Sequence, residues 1–238
     1  GTAVNTSAGT NPRASVATSD GRFAYVANQN GNTISQYAVS PTGTLSPLAT
    51  PTVSVTGPWG MAITPDNRFI VVATPAGARS YAVGIDGLLT SVAGPVGTGT
   101  GGRYIAMHPS GSWAFMTDDG GKTIQTIAIG ASGALSGSPA PTPTNIAVSP
   151  DGRFLYVADP GTDVVRPFSI DAGTGALTAI GASPVSTGST DPYYLTTSRD
   201  GAYLYVAYNA SSQIGQFAIN GSTGALSSLT PATVSGTG

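Results

Sequence analysis

The 238-residue sequence has no cysteine and no glutamate, and only one histidine (His108) and one lysine (Lys122). Without cysteine there is no disulfide, no thiolate nucleophile and no Cys-based zinc site, and a single histidine cannot build a His-based metal centre. Charge is scarce as well: eight Arg, one Lys and eleven Asp give 8% charged residues and a net charge of −2. That balance excludes electrostatic capture of nucleic acid or of an anionic membrane. No apolar run approaches the roughly 18 residues of a membrane-spanning helix. The first nine residues carry neither the charged nor the apolar region of a signal peptide, so the expectation is a chain without membrane insertion, in a mature or trimmed form. No Gly-x-Ser-x-Gly elbow occurs, which leaves a Ser-His-Asp hydrolase without support.

Small and apolar residues are what the chain has in quantity. Gly (33) and Pro (18) are abundant while 40% of positions are hydrophobic, too apolar for a disordered linker and too poor in glycine for collagen. Few charges, no cysteine and a Ser/Thr/Gly/Asn-rich surface suggest export, to the periplasm or the cell exterior.

One pattern recurs five times: Ser19-Asp20-Gly21-Arg22-Phe23, Pro65-Asp66-Asn67-Arg68-Phe69, Pro109-Ser110-Gly111-Ser112-Trp113, Pro150-Asp151-Gly152-Arg153-Phe154 and Arg199-Asp200-Gly201-Ala202-Tyr203. The turns near 20, 66, 110, 151 and 200 set a period of about 45 residues, the length of a propeller blade. Each copy reads as an apolar run, an Asp-Gly-type turn, a second run, a polar loop, a third run, and a turn before Gly-x-Leu. In the fourth copy, Phe154–Ala158 is an unbroken bulky run suited to a strand buried on both faces. The expected fold is all-β: a single domain, 1–238, forming a five-bladed β-propeller with four antiparallel strands per blade. A β-sandwich rarely repeats one turn at constant spacing, and a solenoid needs capping repeats that the sequence lacks. Thr2–Thr6 and Ala232–Ser235 both resemble the end of a fourth strand. Either the chain derives from a longer array, or one end sits displaced at a blade edge.

Ser149 to Asp159 and Ser19 to Asn28 resemble the repeats of the YVTN and lactonase-like β-propeller superfamily, and the resemblance covers nearly the whole chain. It implies blades of this type, usually seven, and in the 6-phosphogluconolactonase-like branch a lactone hydrolase. First strands of that branch often begin Gly-Pro-Arg-His, and its enzymes are thought to use a Glu. The nearest match here is Gly101-Gly102-Arg103-Tyr104, which keeps the Arg and replaces the His with Tyr104. Asn11-Pro12-Arg13-Ala14 again keeps an Arg and lacks the His.

Aligning the entrances to the five first strands gives Arg13, Trp59, Arg103, Thr144 and Tyr193, followed by Ala14, Gly60, Tyr104, Asn145 and Tyr194. The loops after the second strands add Asn28, Thr74, Asp118, Asp159 and Tyr208 to the same face, with Asp119 and Asp163 nearby. Positions that vary between repeats are free to build a site. The candidate ligand-binding residues are therefore Arg13, Trp59, Arg103, Tyr104, Asn145, Tyr193, Tyr194, Asn28, Asp118, Asp159 and Tyr208. Rings beside Arg, Asn and Asp suit a polar ligand with an apolar face, such as a carbohydrate or small organic acid. Plugging of the channel is the structural alternative.

The four carboxylates Asp118, Asp119, Asp159 and Asp163 lack a calcium-loop spacing and are expected to be solvated. Gly97–Gly102 fits Gly-x-Gly-x-x-Gly but precedes a strand, which argues against a nucleotide site. No cofactor or metal is expected. His108 occupies a slot filled elsewhere by Thr18, Thr64, Ser149 and Ser198, and is expected to be structural.

The order of functional readings from the sequence is a secreted or surface-associated, non-catalytic binding propeller; then a lactonase-like hydrolase in which Arg13 and Arg103 stabilise the oxyanion and Asp118 or Asp159 activates water; then a structural module of a larger surface protein. The sequence does not fix the oligomeric state.

Overall fold

The computed structural model describes residues 11–97, 101–120, 123–141, 145–181, 184–186 and 188–235, all of them strand, turn or loop. Thr2–Thr6 and Thr144 lie outside the described residues, as does part of Gly97–Gly102. Among the described residues, twenty-one strands form five antiparallel sheets. Sheet 1 is β1 (Pro12–Ala17), β2 (Phe23–Asn28), β3 (Thr33–Val39) and β4 (Leu45–Ser54), and sheet 2 is β5 (Met61–Ile63), β6 (Phe69–Thr74), β7 (Gly77–Val83) and β8 (Leu89–Val96). Sheet 3 is β9 (Gly102–Met107), β10 (Trp113–Asp118), β11 (Thr123–Ile129) and β12 (Leu135–Pro141). Sheet 4 is β13 (Asn145–Val148), β14 (Phe154–Asp159), β15 (Val164–Ile170), β16 (Leu177–Ala179) and a short β17 (Val185–Ser186) that also pairs with β15. Sheet 5 is β18 (Pro192–Thr197), β19 (Tyr203–Tyr208), β20 (Gln213–Ile219) and β21 (Leu226–Ser235). Ala232–Ser235 ends β21, where Thr233, Val234 and Ser235 pair with Gly215, Ile214 and Gln213.

The repeated turn joins the first two strands of every sheet. Gly21, Asn67, Gly111, Gly152 and Gly201 all have positive φ, a conformation that costs a side chain about 1–2 kcal/mol and so selects Gly or Asn. The preceding Asp accepts the N–H two residues on, as in Arg22 to Asp20 at 3.1 Å and Ala202 to Asp200 at 3.0 Å, and Ser110 does the same for Ser112 in the third copy. Thr18, Thr64, Ser149 and Ser198 each accept the N–H of the aromatic residue opening the second strand. His108, in the same slot, turns instead to Ser110 and, across the sheet boundary, to the Gly152 carbonyl at 2.8 Å.

Among the described residues the core is divided into four clusters, each between consecutive sheets. Phe23 and Tyr25 pack on Ile70 and Val72; Val71 and Ala73 on Ala114 and Met116; Phe115 and Ile124 on Leu155 and Val157; Phe154 and Tyr156 on Leu204 and Val206. Each of the larger side chains among these contributes about 1.5–3 kcal/mol by leaving water. The stitching repeats too. Gly87, Gly133, Gly175 and Gly224, in the turns before the fourth strands, lie against the aromatic ring of the preceding sheet: Phe23, Phe69, Trp113 and Phe154. Carbonyls in and beside these turns accept from Arg22, Arg68 and Arg153, from the Tyr25 and Tyr156 hydroxyls, and from Ser80.

Five sheets with four clusters make a row with two ends. The middle strands show it directly: β6 is buried at every residue, whereas β2 and β19 alternate, in opposite phase. In β2 the odd-numbered residues are buried against sheet 2. In β19 Leu204, Val206 and Tyr208 are buried against sheet 4, and Tyr203 and Ala207 are exposed. Among the described residues no comparable packing joins sheet 5 to sheet 1. The expected five sheets of four antiparallel strands are present, with β17 the addition, and the fold is propeller-like.

Candidate functional site at the inner strand entrances

The entrances to the first strands of sheets 1, 2, 3 and 5 bring Arg13, Trp59, Arg103, Tyr104 and Tyr193 to one mouth. Trp59 lies in the loop before β5, its backbone N–H donating to the Ala73 carbonyl at 2.9 Å. The Arg13 guanidinium carbon is 4.1 Å from its ring centroid and that of Arg103 is 4.2 Å from it, so one indole carries two cations from two different sheets. Indole faces attract guanidinium groups because of the ring quadrupole. Arg13 Nε is fixed by Gln29 Oε1 at 2.8 Å, and Arg103 Nε by Asp119 Oδ2 at 2.6 Å.

Tyr104 and Tyr193 join sheets 3 and 5 directly. Their hydroxyls are 3.1 Å apart and their rings meet edge to face at 6.4 Å. Burial and then the Tyr193 hydroxyl push the Tyr104 phenol well above its ordinary value, while Arg103 and Arg13 pull the other way and do not reverse it. It is therefore a neutral phenol at physiological pH. Its backbone N–H donates to Thr117 Oγ1 at 3.0 Å.

The second-strand ends have diverse roles. Asp118, fully buried, pairs in register with Gly102 beside Arg103, and its Oδ1 accepts the Gly120 N–H at 3.1 Å. Asn28 is also fully buried, donating to Ser35 Oγ at 2.9 Å, and Thr74 donates to the Gly77 carbonyl. Asp159 is occupied within its own sheet: its Oδ2 takes both Nε and Nη2 of Arg166, at 3.0 and 2.9 Å, and the Thr162 hydroxyl at 2.8 Å. Asp163 accepts the Asp191 N–H at 2.7 Å. The four acids are thus held by separate partners. Asn145 is buried, facing the Leu195 N–H, and Tyr208 is buried against sheet 4. Tyr194 leaves the mouth. It pairs with Ala207, on the outer face of sheet 5, where it is 56% exposed.

Gln29, Thr117 and Arg166 are partners that counting from the turns does not find. Gln29 follows Asn28 directly, and Arg166 lies seven residues beyond Asp159 on the adjacent strand, spacings that carry no signal without the register. A cavity of about 450 Å³ lies elsewhere, on the Asp-Gly turn side between sheets 4 and 5. An equivalent groove lies between sheets 2 and 3, so it is a feature of the repeat.

The model of the lactonase, 7-bladed beta-propeller family matches residues 2–90 and 78–237. The chain belongs to this family. A 6-phosphogluconolactonase of Serratia proteamaculans is 26% identical over 184 residues, covering 69% of this chain and 55% of that protein; one of Pectobacterium carotovorum is 28% identical over 195 residues, covering 71% and 56%. The chain thus spans about half the length of the curated relatives it matches. Among solved structures, a protein from Lactobacillus plantarum superposes with a TM-score of 0.81 at 22% identity, over 92% of this chain and 70% of that one. The periplasmic gluconolactonase of Pseudomonas aeruginosa superposes with 0.77 at 21%, over 95% and 70%.

These matches correct the order of readings drawn from the residues. A non-catalytic binding protein came first because the chain lacks the family His and any Glu, yet the curated relatives are lactonases. Those absences remove two side-chain types and not the chemistry, since an aspartate can hold the same proton as a glutamate.

Proposed function

We propose that this chain carries the inner site of a lactone hydrolase acting on a sugar-derived lactone. The observation that carries the reading is the pair of guanidiniums, Arg13 and Arg103, converging on Trp59 in a chain whose curated relatives are 6-phosphogluconolactonases. The indole gives the C–H face of a sugar ring a surface to lie on. An arginine beside the lactone carbonyl stabilises the negative charge that grows on its oxygen as water adds. Asp118, beside Arg103 on the neighbouring strand, is the general base of this reading: it takes a proton from the attacking water. The ring C–O bond then breaks, and the departing oxygen takes a proton from Asp118 or from the neutral Tyr104 phenol, leaving an open-chain hydroxy acid. Asp159 has no part, because Arg166 and Thr162 engage the oxygen it would use. Export belongs to the same reading; it rests on composition and on the periplasmic source of one solved neighbour.

The test is hydrolysis of gluconolactone and of 6-phosphogluconolactone, followed by proton release and corrected for spontaneous opening. Arg103→Ala should lower kcat/KM by about 10²–10³, the loss seen when one oxyanion donor is removed, with Asp118→Asn lower still. Turnover that survives both substitutions, or a wild-type rate equal to buffer, would overturn the assignment.

A further inference from the structure

Two asparagines of the chain are followed by glycine, Asn30 and Asn220, and both are exposed in turns between strands. With no Cβ in the way, a glycine backbone nitrogen can approach the side-chain carbonyl carbon of the asparagine before it. The surroundings of the two pairs differ. Asn220 Oδ1 accepts the N–H groups of Ser222 and Thr223 at 3.0 and 3.1 Å, and Arg153 holds the Gly221 carbonyl. Turning the Asn220 side chain onto the Gly221 nitrogen breaks the first two of these bonds. The Asn30 side chain makes no such bond among the described residues, and its turn is closed by a long hydrogen bond, from the Asn32 N–H to the Gln29 carbonyl at 3.4 Å. The residue before Asn30 matters as well. Gln29 is tied three times to the segment that carries Arg13: its N–H donates to the Asn11 carbonyl at 3.0 Å, and its Oε1 accepts Asn11 Nδ2 at 3.0 Å and Arg13 Nε at 2.8 Å.

We propose that Asn30 is a site of spontaneous deamidation, and that its conversion to isoaspartate releases Arg13 from Trp59. The Gly31 nitrogen gives its proton to solvent and attacks Asn30 Cγ; the new C–N bond closes a five-membered imide, and the side-chain nitrogen leaves as ammonia. Water then opens the imide. Attack at the backbone carbonyl carbon leaves isoaspartate, whose chain runs through Cβ and Cγ, and attack at Cγ leaves aspartate. One water is consumed and one ammonia released, with no oxidant or metal. Isoaspartate lengthens the chain by one carbon beside Gln29 and adds a carboxylate to the loop. The extra carbon displaces Gln29 from Asn11 and Arg13, and the carboxylate offers the exposed Arg13 guanidinium a charged partner in place of a neutral amide oxygen. Both effects draw Arg13 off the indole, where its guanidinium carbon lies 4.1 Å from the ring centroid. A loss of lactone turnover with age follows from this only on the reading proposed above.

The test is to age the folded chain in mildly alkaline buffer, beside Asn30→Gln, whose longer side chain does not close the five-membered ring. Peptide mapping by mass spectrometry should find isoaspartate accumulating at Asn30, faster at alkaline than at mildly acidic pH, and Asn220 largely intact; in the urea-unfolded chain the two should convert alike. Acrylamide quenching reads the second half of the proposal. Trp113→Phe, which installs the residue that Phe23, Phe69 and Phe154 provide in the same slot, leaves Trp59 as the one tryptophan. In that background quenching of Trp59 should rise with the converted fraction, and the aged Asn30→Gln protein should stay as it began. An Asn30 that survives in the folded chain while the unfolded chain converts, or equal conversion of Asn30 and Asn220 in the folded chain, would overturn the assignment of the site. Conversion with unchanged quenching would overturn the release of Arg13. Mass and fluorescence do not depend on lactone hydrolysis, so a chain without turnover defeats the functional reading and leaves these results standing; where turnover is present, kcat/KM should fall in proportion to the converted fraction.

Discussion

Gly133 and Gly43 allow the sheet-to-sheet contact to be weighed apart from the turn that makes it. Both precede a fourth strand, with φ of +82° and +81°, so replacement by Ala imposes the same backbone cost. That cost is about 1–2 kcal/mol for a left-handed L-residue, less the fraction recovered because Ala has fewer unfolded conformations, or about 1 kcal/mol net. At Gly43 nothing more is lost. At Gly133 the new methyl would stand 2.5 Å from the Phe69 ring edge, and the ring is wedged between sheets 2 and 3, so overpacking adds about 1–3 kcal/mol. For a chain of this size each kcal/mol moves Tm by about 2–4 °C. Gly43→Ala should therefore lower Tm by about 2–4 °C and Gly133→Ala by about 4–16 °C, measured by circular dichroism in parallel scans. Equal shifts would refute the reasoning, because they would mean that the two turns have the same surroundings.

Trp59→Ala removes the surface that both guanidiniums rest on; it should cost about 1–2 kcal/mol of stability, read as a Tm loss of about 2–8 °C, and lower kcat/KM by at least 10-fold, whereas Trp59→Phe should retain part of both. Tyr156→Phe leaves the Gly224 carbonyl without its donor and should lower stability by about 1 kcal/mol in urea titration, while Tyr205→Phe in the 238-residue chain should have no measurable effect. The turn carboxylates give a pH dependence. Hydrogen bonds from the Thr18 hydroxyl and the Arg22 N–H hold Asp20 below its ordinary value, and the Ser198 hydroxyl and Ala202 N–H do so for Asp200. A folded value below the unfolded one, about 3.9, makes this stabilisation complete above that pH and progressively lost as pH falls through the folded values. Asp20→Asn with Asp200→Asn should flatten the fall in Tm between pH 5 and 2; an unchanged slope would place acid sensitivity elsewhere.

Much of the fold is legible in the sequence because each repeat carries its own instructions. The Asp-Gly turn, the bulky second strand and the Gly-x-Leu start of the fourth are local signals, and Phe154–Ala158 is buried on both faces as its composition demands. What local pattern does not encode is what stands beside a sheet. Tyr203–Tyr208 reads like Phe154–Asp159, yet one face of it is open, because burial of a middle strand is decided by the neighbouring sheets and not by its own residues. The site divides in the same way. Arg13, Trp59 and Arg103 meet because they occupy equivalent strand entrances, which counting from the turn finds. Tyr194 departs because it pairs with Ala207 on the outer face of sheet 5, where no further sheet among those described packs. Asp159 passes from candidate base to structural ion pair through Arg166, a partner set by cross-strand pairing.

The division of the core into four separate clusters has a thermodynamic consequence. Each cluster draws only on two adjacent sheets, so the molecule behaves as a one-dimensional array in which the free energy is a sum of sheet terms and nearest-neighbour terms. Substitutions at Phe23 and Phe154, in different clusters, share no packing neighbour and should add without coupling. Opening is likewise graded: sheets 1 and 5 each share a core cluster with one neighbour, sheet 5 adding the Tyr193–Tyr104 contact to sheet 3, and detach at lower cost than sheets 2, 3 and 4, so amide exchange is slowest in β6, β10 and β14 and quickens towards both ends of the row.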